Sequence, residues 1–184
     1  MAAVIIIVIV VLIAIVFVAQ YNGLVRLRNR IDSAWSQIGV QLERRHDLIP
    51  NLIETVKGYA KHEQGTLEGV VQARNAAIAA KDAGPEQQAQ AENVLSGALR
   101  QLFALSEAYP DLKANQNFLS LQEELTSTED RIAYSRQFYN DSVLKYDNKI
   151  ESIPSNIIAG MFGFKGREYF KAEEGATEVP KVEF

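Results

Sequence analysis

Two histidines, His46 and His62, are the only imidazoles in this 184-residue chain, and each opens a pattern that metal or acid–base chemistry could use. Glu43-Arg44-Arg45-His46 is a Glu-x-x-His, the spacing with which helices of ferritin-like bundles hold paired metals. Such a centre needs the motif twice. The chain carries it once, beside two arginines whose charge opposes a cation. His62-Glu63 begins a zinc-protease pattern, but Thr66 stands where the second histidine belongs. The acidic residues Glu123, Glu124, Glu129 and Asp130 alternate along a helical segment with Arg131 and Arg136, and read as solvated faces with local ion pairs. Paired catalytic carboxylates need a cleft, and the connecting segments are too short to roof one. Phosphate-cradling glycine loops and Ser-His-Asp spacings are absent from the sequence. With no cysteine, thiol catalysis, disulfides and thiolate metal sites are excluded together. The sequence therefore predicts no catalytic residue, no cofactor and no metal.

Charge narrows the partners. A formal net charge of −4 gives no broad basic face to displace counterions from phosphates, so a nucleic-acid partner is not expected. The 47% hydrophobic content is unevenly spread, because residues 2–19 read AAVIIIVIVVLIAIVFVA without a polar side chain. Those eighteen residues span about 27–30 Å as a helix, which matches a bilayer core of about 30 Å. Fourteen of them are Val, Ile, Leu or Phe and together favour insertion by roughly 4–8 kcal/mol. In lipid each backbone amide needs an internal partner, so the run is expected as a helix despite its β-branched content. It lacks the basic start and small-residue cleavage site of a secretory signal. Arg26, Arg28 and Arg30 follow it closely, and basic flanks stay inside. The expected topology is a single-pass anchor with its N-terminus outside and the body cytoplasmic. Tyr21 falls at headgroup level, where an amphipathic ring is favoured, so Tyr21, Arg26, Arg28 and Arg30 are the expected contacts with membrane lipid.

Positioning these groups are amphipathic segments with apolar residues every three or four places, a coiled-coil-like pattern. Leu24, Leu27, Ile31, Trp35, Ile38 and Leu42 form one stripe, continuous with the membrane run. A second runs Ile49, Leu52, Val56, Tyr59, Leu67, Val70 and Ile78 over about 47–80, with Asp47 as cap, Pro50 in the first turn and a tight reversal near His46 as the simplest reading, a kink there being the alternative. Lys81-Asp82-Ala83-Gly84-Pro85 is a clear break. A third helix over about 86–108 has Val94, Leu95, Leu99, Leu102, Phe103 and Leu105 as core, and a fourth covers about 112–153. The expectation is an all-α fold: a transmembrane helix over 1–20, continuing into an antiparallel, up-down four-helix bundle of long helices over 21–153, and an irregular Gly/aromatic tail with an acidic end over 154–184. In that tail Phe162, Phe164, Tyr169 and Phe170 are the candidate interaction residues. They are expected to fold back over one end of the bundle as a hairpin or short helix, or to dock on a neighbouring subunit or the membrane surface.

The strings LVRLRNRIDSAWSQIGVQLERRHDLIPNLIETVKGYAKHE, QARNA, LQEELTSTEDRIAYSRQFYND, FGF and a terminal PKVEF together resemble the LemA family of bacterial membrane proteins, from about residue 20 onward. The resemblance implies a plasma-membrane protein with a helix-bundle domain and no established enzymatic activity. It further implies an association with membrane metalloproteases of the HtpX type, near which family members are often encoded, and with the magnetosome membrane, to which one relative belongs. The same name has been given to a sensor kinase, but no kinase glycine loop, HRD or DFG occurs here. Two functions follow as expectations. One is a non-enzymatic membrane scaffold forming homo-oligomers, in membrane organisation or shaping; the other is an adaptor or regulator of a membrane protease in envelope quality control.

Overall fold

The computed structural model describes residues 1–171, and the expected acidic end of the tail lies outside the described residues. Six α-helices follow one another: α1 (Ala2–Lys57), α2 (Gln64–Ala79), α3 (Pro85–Leu105), α4 (Pro110–Lys113), α5 (Gln116–Glu151) and α6 (Ser155–Phe162). A single 3-10 turn, Ser106–Ala108, follows α3, and no strand occurs among the described residues. The all-α class is thus what the chain adopts. Contacts group the described residues into two units, one of Met1–Gln37 with Gln137–Arg167 and one of Ile38–Arg136 with residues 168–171.

The expected reversal near His46 does not form, and Asp47 caps nothing. Instead α1 runs from the membrane segment through Gly23, His46 and Pro50 to Lys57, a helix of 56 residues. A proline inside a helix has no N–H for the carbonyl four residues back, which here belongs to His46. That carbonyl accepts a hydrogen bond from Arg74 Nε of α2 at 2.7 Å instead. The donor lost within the helix is thereby replaced from outside it. The chain turns at 58–63, where Tyr59 and Ala60 N–H both bond the Val56 carbonyl and α1 ends.

In the second unit the core is drawn from every long helix: Leu52 and Val56 of α1, Leu67 and Val70 of α2, Leu95, Leu99 and Leu102 of α3, Phe118 and Leu125 of α5. Each such side chain contributes about 1.5–3 kcal/mol on burial. The turn between α2 and α3 uses Gly84 at φ +101°, a value only glycine holds easily, and Pro85 then begins α3. Asn115 caps α5, its Oδ1 accepting from Phe118 N–H at 3.0 Å, while its Nδ2 donates to Tyr59 Oη at 2.8 Å. That contact pairs the start of α5 with the end of α1, and Arg45 meets Glu129 further back, so the two helices are antiparallel. The buried face of α3 differs from the expected one. Val94 is exposed, and the face turned inward is Gln88, Ala89, Glu92, Leu95, Leu99 and Leu102.

In the first unit Leu24, Ile31 and Ala34 of α1 and Tyr139, Val143 and Tyr146 of α5 are buried, with Trp35 tilted against Tyr139 at 5.3 Å. No residue in the apolar start of α1 is buried, and all but Phe17 are exposed. The tail over 154–171 is less irregular than its glycines suggest, because Ser155–Phe162 closes two turns of helix. Ser155 Oγ donates to the carbonyls of Lys149 and Ser152, so the polar end of α5 supports the start of α6.

Substituting Arg74→Ala is expected to destabilise the chain by about 1–3 kcal/mol, the usual cost of orphaning a buried acceptor. The loss should shrink in a Pro50→Ala background, where residue 50 regains its N–H. Urea unfolding in mild detergent measures the cycle, and a coupling of about 0.5–3 kcal/mol is expected. Equal losses in both backgrounds would show that Arg74 does not substitute for the missing donor.

Candidate functional site

Two residue sets singled out separately in the sequence meet in the first unit. The ring of Tyr21 lies 4.8 Å from Phe162 and 5.8 Å from Phe164, and Phe17 of the apolar run lies 5.9 Å from Phe162. Such tilted and edge contacts are the favoured arrangements of aromatic pairs. A local cause brings the tail there. Gly163 takes φ +69° at the end of α6, and Phe164 N–H bonds the Ala159 carbonyl at 2.9 Å, a left-handed helix stop that turns the chain back on itself. Beyond it the backbone N–H of Arg167 reaches Asp147 at 3.3 Å, and its guanidinium pairs with Asp32 at 3.0 Å.

Of the three arginines after the apolar run, Arg28 sits over the Phe164 ring at 5.4 Å and Arg30 over Phe138 at 4.8 Å, while Arg26 is exposed. A cation over a ring face is attracted by the ring quadrupole while its charge still meets solvent or headgroups. Tyr21, Arg28, Phe162 and Phe164 therefore form one aromatic and cationic cluster at the end of the apolar run. Tyr169 and Phe170 belong to the second unit, where Phe170 is buried and Lys171 pairs with Glu86 at 2.8 Å.

The histidine motifs have a different fate. Glu43 faces solvent and His46 is buried, so the two do not converge on a common ligand. His62 is exposed, and Glu63 accepts a hydrogen bond from Tyr109 at 3.1 Å. Among the described residues no group of three His, Cys, Asp or Glu side chains is placed to hold a metal ion.

What surrounds His46 is an ion cluster in the second unit. Arg45 and Glu92, 1% and 3% exposed, pair through Arg45 Nη2 and Glu92 Oε2. Arg45 Nη1 donates to Ser96 Oγ at 2.8 Å and to Glu129 Oε2 at 2.5 Å. His46 Nε2 stands 2.9 Å from Glu92 Oε1, an ion-pair distance, though the two atoms are not aligned as a hydrogen bond. Glu129 thus pairs across to α1 rather than along α5 to Arg136, and Glu124 does the same with Arg44 at 3.0 Å. Burial works to raise the Glu92 carboxyl, but His46 and Arg45 beside it outweigh that and hold it below its ordinary value. Held ionised between Arg45 and His46, Glu92 ties α3 to α1.

Glu92 was the residue that sequence inspection missed. Its signal was a carboxylate in the stripe of Leu95 and Leu99, at helical spacing, where an apolar residue would ordinarily stand.

Replacing Glu92→Gln should cost about 3–5 kcal/mol near neutral pH, as for other buried pairs broken from one side. Because its folded pKa is depressed, the stabilisation is complete above the ordinary value of 4.5 and fades as pH falls through the lower folded value. The acid limb of stability against pH should accordingly be shallower in the variant. Glu129→Gln, at a half-exposed carboxylate, should cost under about 1 kcal/mol. An acid limb unchanged by Glu92→Gln would rule out a linked carboxylate.

Comparison with known proteins gives a consistent result. The chain is similar to magnetosome protein MamQ 2 of Paramagnetospirillum magneticum, at 27% identity over 89% of this chain and 68% of the relative. It is likewise similar to protein LemA of Metamycoplasma hominis, at 29% identity over 86% of this chain and 72% of the relative. Magnetosome protein MamQ of Magnetospirillum gryphiswaldense shares 26% identity over 89% of this chain and 68% of its own. The family match begins at Ala34, just beyond the aromatic and cationic cluster on α1, and takes in every later helix. Through that match, over residues 34–184, the chain belongs to the LemA family.

Proposed function

We propose that this protein is a non-enzymatic, membrane-anchored helical scaffold that self-associates at the bacterial plasma membrane and helps to organise or shape it. The observation that carries the reading is the start of α1, a long apolar window in which no residue is buried by the protein. Exposed apolar area on this scale is unstable in water and fits the hydrocarbon of a bilayer. The arginines that follow favour a single-pass topology with the helical body in the cytoplasm. Confining many copies to one plane raises their effective concentration, so weak side-to-side contacts suffice for assembly. Relatives named as magnetosome proteins lend support to a role in membrane organisation.

A second reading has its own observation. In the second unit an open groove of about 690 Å³ is lined by Ile53, Leu67 and Val71 with Lys57, Lys61 and Glu68 around them. An apolar floor with a charged rim suits an amphipathic helix. That favours an adaptor for another membrane protein, a membrane protease being one candidate.

Particle size in nanodiscs of native lipid tests the first reading, with more than one chain per particle expected. A particle that stays strictly monomeric at high protein concentration would sink it. Recovery of a stoichiometric partner, lost on Val71→Glu, would favour the adaptor instead. Protease added outside intact cells is expected to leave both helical units uncut, and their digestion would reverse the topology.

A further inference from the structure

Helix α6 has a face that no described residue of the protein covers. Its sequence, SNIIAGMF, contains no charged residue. Ser155, Ile158 and Ala159 turn inward and are buried, whereas Ile157 and Met161, one helical turn apart, are 61% and 67% exposed. Phe162 is half exposed and Ile153, four residues before Ile157, is largely so. In water this apolar stripe would be a liability.

The height of α6 is fixed by its aromatic contacts. Phe162 packs against Phe17, a member of the apolar run, and against Tyr21 two residues past its end. If the run crosses the bilayer, Phe162 lies at the level where hydrocarbon gives way to headgroups. The residues that follow Phe162 line a hollow of about 270 Å³, Phe164, Lys165 and Arg167 facing it with Arg28 and Tyr146. Asp32 already balances Arg167, which leaves Arg28 and Lys165 as the exposed cations there.

We propose that α6 is a second membrane contact, with Ile157, Met161 and Phe162 set among lipid acyl chains and Arg28 and Lys165 on the phosphates of anionic phospholipids. The inference rests on the reading of the N-terminal run as membrane-spanning. Amphipathic segments of this kind lie about 5–10 Å into the boundary between headgroups and acyl chains. The anchor then holds the first unit at two points rather than one.

The full-length chain in nanodiscs of acyl-brominated lipid tests this by tryptophan quenching. In a Trp35→Phe background, single reporters are introduced as Met161→Trp, Ile157→Trp, Val16→Trp in the apolar run, and Val94→Trp on the exposed side of α3. Circular dichroism confirms that each remains helical. Emission should fall about two-fold or more at 161, 157 and 16, the positions at acyl depth, and stay unchanged at 94. Quenching at 16 without quenching at 161 and 157 would overturn the second contact, including by a protein neighbour covering α6, and leave the span intact. No quenching at any of these positions would overturn the span and the second contact together. Quenching at 161 should also be stronger in brominated phosphatidylglycerol than in brominated phosphatidylcholine, and Arg28→Gln with Lys165→Gln should remove that difference. Equal quenching in the two lipids before substitution would overturn the headgroup contact.

Discussion

A proline inside a long helix frees a carbonyl from its helical donor, and in this protein the replacement of that donor helps to organise the second unit. Pro50 leaves the His46 carbonyl without its helical partner, and Arg74 supplies one from α2. Directly before it in sequence, Arg45 and the ring of His46 meet Glu92 of α3, and Arg45 also meets Glu129 of α5. Within a short stretch α1 is therefore joined by charged contacts to α2, α3 and α5. The apolar core below supplies most of the driving force. The polar ties decide which helix faces which.

The first unit obeys a different constraint. Its α1 segment passes from an apolar run to a charged helix, and the rings of Phe17, Tyr21, Phe162 and Phe164 cluster at that change. Rings with an apolar body and a polar or polarisable edge suit a boundary between hydrocarbon and water. Arg28, over Phe164, and Arg30, over Phe138 of α5, rest on ring faces. An arginine held in this way keeps its charge available outward, whereas one paired with a carboxylate does not. The contrast with Arg45, which is enclosed by two carboxylates, separates a cation used for contact from one used for assembly.

Much of this was legible in the residues. The apolar run, the Gly84-Pro85 break and the three- and four-residue spacing all give local signals, and helices formed where they pointed, except that the single helix expected over 47–80 is broken at 58–63. The place of the first reversal was not legible, because the group that permits α1 to pass Pro50 lies on α2, 28 residues after the carbonyl it serves. Local rules read Asp47 and Pro50 as a helix start, and tertiary context overrode them. Glu92 was hidden for a related reason: a carboxylate in an apolar stripe becomes intelligible only when Arg45, 47 residues away, stands opposite. The aromatic tail was legible by composition but not by placement, since the φ of Gly163 decides where Phe164 goes.

Long helices with apolar residues every three or four places share a weakness, which is that sliding by one turn, about 5.4 Å, brings similar side chains back into register. Leucine against leucine distinguishes such states poorly. Charged groups do not tolerate the same shift. Moving α1 one turn against α3 would carry Arg45 away from Glu92 and leave both charges buried without their partner, at a cost far above that of mismatched methyl groups. Arg74 adds a second constraint on the same turn, because a backbone carbonyl freed by proline exists at one position only. The cluster around His46 therefore accounts for why a chain with a repetitive apolar pattern adopts one alignment of its helices.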